Sequence, residues 1–216
     1  MIAVCLLVAA ACGERAETLR SGDLVFVGLP ASFAQEETAM DGAIAAATGQ
    51  GDSLQFIHVA IAEVDSAGVW IIDATMRRGV DRHPLDTFLM DFTCRDGSLP
   101  VFKVMRLQDD RPAAASVERA KCRLGLPYDV YFLPDNGAFY CSELVHECYL
   151  DEDGNPIFRS APMNFKNAEG EFPSYWEQLF ARLGEEIPQG LPGTNPQAMS
   201  ADPRLREVCV EIPRPL

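Results

Sequence analysis

The sequence predicts an α+β fold: an antiparallel sheet built from the first half of the chain, packed against helices supplied mostly by the second. Three observations carry this. Runs rich in β-branched residues, separated by turn chemistry, crowd into the stretch before Leu107. Apolar residues at helical spacing dominate after Pro112. Strands and helices are grouped rather than alternating, which argues against a parallel sheet of βαβ units. A chain of 216 residues can bury one sizeable core. Residues 13–216 therefore read as a single domain, with 151–216 as its C-terminal extension.

Taken in order, Asp23-Leu24-Val25-Phe26-Val27 reads as a strand introduced by Ser21-Gly22. Glu36 to Thr48 is Ala-rich, acidic at its start and stopped by Gly49, as a short helix should be. Phe56 to Val64 is a strand, Asp65-Ser66-Ala67-Gly68 a turn, and Val69 to Ala74 the returning strand of a hairpin. Pro84 leads into a helical Leu85 to Phe92, and Leu99 to Leu107 is another strand. Pro112 to Leu124 has Val117, Ala120 and Leu124 at helical spacing and ends at Gly125. Leu126-Pro127-Tyr128 is a loop. Cys141 to Leu150 is a helix with Leu144, Val145 and Cys148 as its apolar stripe, and Tyr175 to Leu183 is a last short helix before Gly184.

Composition excludes several function classes. A formal net charge of -14 repels phosphate backbones and anionic headgroups, so nucleic acid and acidic membranes are unsuitable partners. Met1 to Ala11 is an apolar run too short to span a bilayer but of signal-peptide length, and it ends in small residues before Cys12. Residues 1–12 thus read as a signal or lipoprotein signal segment with Cys12 as the lipidation candidate. That reading places the protein outside the cytoplasm, in the periplasm or cell envelope, and limits membrane contact to a lipid anchor. The competing reading is a buried first strand or helix. Of seven cysteines, Cys94, Cys122, Cys141, Cys148 and Cys209 lie beyond this segment. Their number is odd, no CxxC occurs, and no His stands at ligand spacing, so neither metal nor organic cofactor is expected.

A thiol becomes nucleophilic when a helix N-terminus or an imidazole stabilises its thiolate. Cys141 opens its helix; Cys148 lies two turns deeper in an apolar stripe, and Cys122 reads as mid-helix and structural. A buried structural cysteine is the competing explanation for Cys141. The chain has three histidines. His146, five residues after Cys141, is turned about 140° away. His83, before Pro84, reads as a loop or capping residue. His58 stands on a strand with small Ala60 and Ala62 as same-face neighbours. If the turn spans 65–68, Val64 pairs with Val69 and Ala60 with Asp73. His58 and Asp73 then share a face, where the acid can fix the imidazole tautomer. Asp73 is also an expensive residue in an otherwise apolar run unless it has a partner.

Five segments resemble a known family. Ser-Gly-Asp-Leu-Val-Phe (21–26), His-Val-Ala-Ile (58–61) and Trp-Ile-Ile-Asp-Ala (70–74) resemble the strand half of NlpC-type papain-like cysteine hydrolases. Leu-Gly-Leu-Pro-Tyr-Asp (124–129) and Tyr-Cys-Ser-Glu-Leu-Val (140–145) resemble their cysteine half. The order is reversed, as in the circularly permuted YiiX/YaeF-like branch, and a weaker echo falls on residues 195–198. The resemblance implies a permuted papain-like fold with Cys141 as nucleophile, His58 as base and Asp73 as orienting acid in a position where Glu is frequent. It further implies Tyr128 near the oxyanion or substrate, with no cofactor. Glu143, in the first turn of the cysteine helix, is expected to make a structural ion pair. The expected partner is a peptide or amide substrate, with a peptidoglycan-derived peptide ranked first. A lipid-linked amide or acyl transfer comes second, signalled by an apolar trough beside Cys141. A non-catalytic binding module is third, signalled by Cys141 and His58 lying too far apart.

Overall fold

The computed structural model describes residues 16–30, 39–49, 54–93 and 100–212. The apolar N-terminal run with Cys5 and Cys12, residues 36–38 of the expected first helix, and Cys94 lie outside them. The elements run β1 (Leu24–Pro30), α1 (Met40–Thr48), β2 (Leu54–Asp65), β3 (Gly68–Thr75), β4 (Gly79–Pro84), α2 (Leu85–Asp91) and β5 (Val101–Leu107). There follow α3 (Ala113–Lys121), α4 (Cys141–Cys148), β6 (Ala161–Pro162), α5 (Ser174–Leu183), β7 (Pro192–Gly193), α6 (Pro196–Ser200) and β8 (Leu205–Val208).

Six strands form one antiparallel sheet in the order β4-β3-β2-β1-β5-β8. Its central strands are covered on both faces, which is why β1 and β2 read as nearly continuous apolar runs rather than clean alternations. Leu24, Phe26, Val59, Ile61 and Ile72 meet Val117 and Ala120 of α3 and Leu144, Val145 and Cys148 of α4. On the opposite face Val25, Val27, Ala60, Ala62 and Ile71 meet Leu85, Phe88 and Leu89 of α2. A third apolar cluster, beyond the sheet, gathers Phe132, Tyr140, Met163, Phe165, Trp176, Leu179 and Phe180.

The hairpin register is the expected one: Val64 faces Val69, and the pairing runs from Asp65–Gly68 to Ile61–Ile72. The Ser-Gly-Asp start of β1 is explained by burial. Asp23 is shielded from solvent and accepts two hydrogen bonds from the buried Arg106 guanidinium, at 2.6 and 2.8 Å. Gly22 has φ +87, and a Cβ there would meet that of Ala113 at 2.5 Å.

Several expectations need correction. The stretch holding His83 is strand β4, not a loop, because the edge of β3 offers it a ladder from Thr75–Gly79 to Trp70–Pro84. The helix expected over 112–124 stops at Lys121, so Cys122 is its exposed C-cap rather than mid-helix. The helix expected over 141–150 stops at Cys148. Residues 151–216 also supply β8, an edge strand of the main sheet beside β5. Cys122, Cys141, Cys148 and Cys209 are free thiols.

Candidate active site

Cys141 is the first residue of α4, so its N–H and that of Ser142 have no acceptor within the helix. Three contacts fix this helix start. The Tyr140 N–H donates to Glu143 Oε2 at 3.3 Å, the Thr194 N–H donates to the Tyr140 hydroxyl at 3.0 Å, and the Thr194 hydroxyl donates to Ser142 Oγ at 3.0 Å. The last two come from the far C-terminal part of the chain. Cys148 is buried in the stripe, where burial pushes its thiol up to about 12, as suits a packing residue.

His58 reaches the site by a distortion of the sheet. Val27 pairs with His58 but Gly28 with Phe56, so Ile57 is the extra residue of a β-bulge. A bulge leaves a ladder N–H without its partner, and Gln197 of α6 supplies one: its Oε1 accepts the Phe56 N–H at 2.7 Å. The β2–β3 ladder ends at Ile61–Ile72, while β3 stays paired with β4 through Thr75. Across this parting Nε2 of His58 hydrogen-bonds Oδ2 of Asp73 at 2.8 Å, with Asp73 only 1% exposed. Nδ1 is then the ring nitrogen left for Cys141, whose thiol is near enough to act electrostatically on the imidazole. Phe92 and Phe88 cover the ring at centroid distances of 4.8 and 6.1 Å.

Burial alone opposes a charged imidazole. The negative charge of Cys141 and the hydrogen bond that Asp73 accepts outweigh it, and His58 is raised to about 10. The imidazole is therefore favoured in its protonated form. Tyr128 stands in the same cleft, its phenol held well above its ordinary value by burial and then by the charge of Cys141. It stays a hydroxyl and can donate. Glu143 departs from expectation: no cation pairs with it among the described residues. Burial, followed by Asp129, Glu147 and Asp135 once the helping Tyr140 N–H is counted, raises its carboxyl to about 8. It caps the helix instead. The His146 Nδ1–H donates to the Phe158 carbonyl, and the ring turns away from the thiol, as its spacing requires.

An open cleft runs beside Cys141. Ile44, Ile57, Phe132, Met163, Phe165 and Trp176 give it a mainly apolar wall, with Ser142, Thr194 and Asn195 as polar points. One wall is held open by a costly backbone. Phe132 has φ +54, a region that bulky residues avoid, and Asp129 fixes it by accepting the N–H groups of Tyr131 and Leu133 at 2.8 Å each. No periodic pattern announces this wall, because Phe132, Met163, Phe165 and Trp176 come from loops and one short helix. The only hint was an unusual density of aromatic residues in them.

Comparison with known proteins gives the chain a family and a fold neighbour. Residues 18–209 match the model of a family described as permuted papain-like amidase enzyme, YaeF/YiiX, C92 family. The solved structures include a crystal structure of metalloprotein yiiX from Escherichia coli O157:H7, which is similar to this chain at TM-score 0.66 and 22% identity over 90% of this chain and 98% of that one. At that identity the likeness shows the fold. No curated protein matches the sequence. Among the described residues no three His, Cys, Asp or Glu side chains are grouped to hold a metal ion. By the extent of the family match, the chain belongs to the permuted papain-like amidases, and it is a cysteine hydrolase of that class.

Proposed function

From its place in that family we propose that the protein hydrolyses an amide bond through Cys141, with His58 as acid and base and Asp73 as the orienting acid. The observation that carries the assignment is the buried His58–Asp73 hydrogen bond beside a thiol at a helix N-terminus that acts on the same imidazole. The Cys141 sulfur attacks the carbonyl carbon, and the oxyanion is received by the free Cys141 N–H and the Tyr128 hydroxyl. The His58 imidazolium passes its proton to the leaving amine, which departs and leaves a thioester. Water then gives a proton to Nδ1 of His58 as its oxygen attacks the thioester, releasing the acid and the Cys141 thiolate beside a protonated His58.

For the substrate, the mainly apolar cleft beside Cys141 supports an amide carrying an extended apolar group, a lipid-linked amide, with the polar points seating the amide itself. The second reading, a peptidoglycan-derived peptide, is supported by the signal-like residues 1–12, which suit an envelope protein. Purified protein and its Cys141→Ala variant, incubated separately with N-acyl amide lipids and with a muropeptide digest, decide between them by mass spectrometry. Free fatty acid and amine from wild type alone support the lipid amide. New muropeptide fragments alone move the assignment to the cell wall. Products that persist in Cys141→Ala overturn the mechanism.

A further inference from the structure

Asp73 has two oxygens, and the contact with His58 uses one. Oδ1 is buried without a hydrogen-bond partner among the described residues, and so are both ring nitrogens of His83. These orphans face one another. His83 is 5% exposed, sits opposite Ile71 in the β3–β4 ladder two pairs from Asp73–Asp81, and holds Nδ1 at 3.9 Å from Asp73 Oδ1. Its ring lies nearly parallel to Phe88 of α2 at 6.3 Å, and the same Phe88 touches His58 at 6.1 Å. Two imidazoles therefore flank one phenyl ring and one carboxylate. An unpaired buried polar atom is unfavourable, and a gap of 3.9 Å is closed by a side-chain movement of roughly 1 Å. Contacts of catalytic groups are commonly long in the empty site and tighten with substrate.

We propose that His83 is a positioning residue: its Nδ1–H donates to Oδ1 of Asp73 in the working enzyme, so the carboxylate is held at both oxygens and keeps the His58 ring aimed at Cys141. Held at Oδ2 alone, the carboxylate can swing about its own Cβ–Cγ bond and take the imidazole with it. This rests on the reading of Cys141, His58 and Asp73 given above. The charged and titratable groups around His83 are Asp73 on β3, Asp81 on its own strand at 3.4 Å from Nδ1, Arg78 bound to Asp81 at 3.6 Å, and His58 beyond Asp73. From α2 it meets the Phe88 ring.

The test is the rate of Cys141 alkylation by iodoacetamide, followed by peptide mass spectrometry from pH 5 to 10, in the full chain and in His83→Phe, His83→Gln and His58→Ala. Phe keeps the ring on Phe88 but cannot donate; it is expected to slow alkylation about tenfold or more, the worth of one hydrogen bond to a carboxylate, and to shift the pH profile. Gln places an amide donor on the same side and should return rate and profile to near wild type. A His83→Phe profile identical to wild type, while His58→Ala is impaired, overturns the role of His83 alone. An unchanged His58→Ala profile takes down the base assignment, and His83 with it. Should His83→Phe fail to fold, nitrogen-15 NMR of wild type and Asp73→Asn supplies the answer. With only three histidines to assign, the His83 Nδ1 resonance must move together with that of His58 Nε2, and an unmoved His83 refutes the contact.

Discussion

Replacing Asp73 by Asn removes a charge while keeping nearly the same shape, so it isolates what the carboxylate does for His58. The bond at issue is buried and 2.8 Å long. A hydrogen bond to a charged group is worth about 1.5–3 kcal/mol, and 1.36 kcal/mol corresponds to one pH unit, so the His58 titration should fall by roughly one to two units. Burial, the largest influence on this ring, acts in the same direction once the carboxylate charge is gone. An NMR titration of His58 in the two proteins reads this directly. Stability supplies an independent check with a definite sign. Folded His58 is raised from 6.5 to about 10, so the folded chain keeps a proton that the unfolded chain gives up. Its contribution is full below pH 6.5 and is lost as pH rises through about 10. Wild type should therefore lose thermal stability between pH 7 and 10 more steeply than Asp73→Asn. A His58 titration that stays in place or rises in the variant would refute the reasoning.

Three further outcomes are expected. Glu143 is raised from 4.5 to about 8 chiefly by burial, so wild type loses stability as pH climbs through that window; Glu143→Gln should show a flatter melting profile there, and parallel curves would contradict the assignment. Gln197→Leu leaves the Phe56 N–H at the bulge without its acceptor, which should lower urea stability by about 1 kcal/mol and slow Cys141 alkylation at the same time, because His58 stands two residues further on. Gly79 has φ +68, and a Cβ would meet the Leu126 carbonyl oxygen at 2.3 Å; Gly79→Ala should destabilise by about 2–3 kcal/mol in chemical unfolding and disturb the loop leading to Tyr128.

The parts of the fold that were legible are those whose signal is local. The β2–β3 hairpin carries its turn chemistry at 65–68 and its apolar runs on either side, so register, and with it the meeting of His58 and Asp73, followed from counting residues. The start of α4 was equally readable, because Cys141 opens a run at helical spacing. What could not be read depends on distant partners. The β4 segment, with Asp81, Arg82 and Pro84, has turn-like composition. It is a strand because β3 has an open edge, and because Arg82 binds Glu63 and lies 4.0 Å over the Trp70 ring. His83 was misplaced for the same reason. β8 is four residues long and joins β5 only after a connection of nearly a hundred residues. The bulge beside His58 and its support by Gln197 join residues 141 positions apart, and nothing near Ile57 announces them.

The central claim is that Cys141 carries the acyl group of an amide substrate, and trapping that group tests it most directly. Wild type and Cys141→Ala are mixed with an N-acyl aminocoumarin amide, quenched within milliseconds to seconds, and examined by intact mass and peptide mapping. The account predicts a burst of coumarin with the acyl mass on the peptide containing Cys141, both absent in the variant. Coumarin release by Cys141→Ala, or turnover by wild type with the acyl mass on another residue, would contradict it.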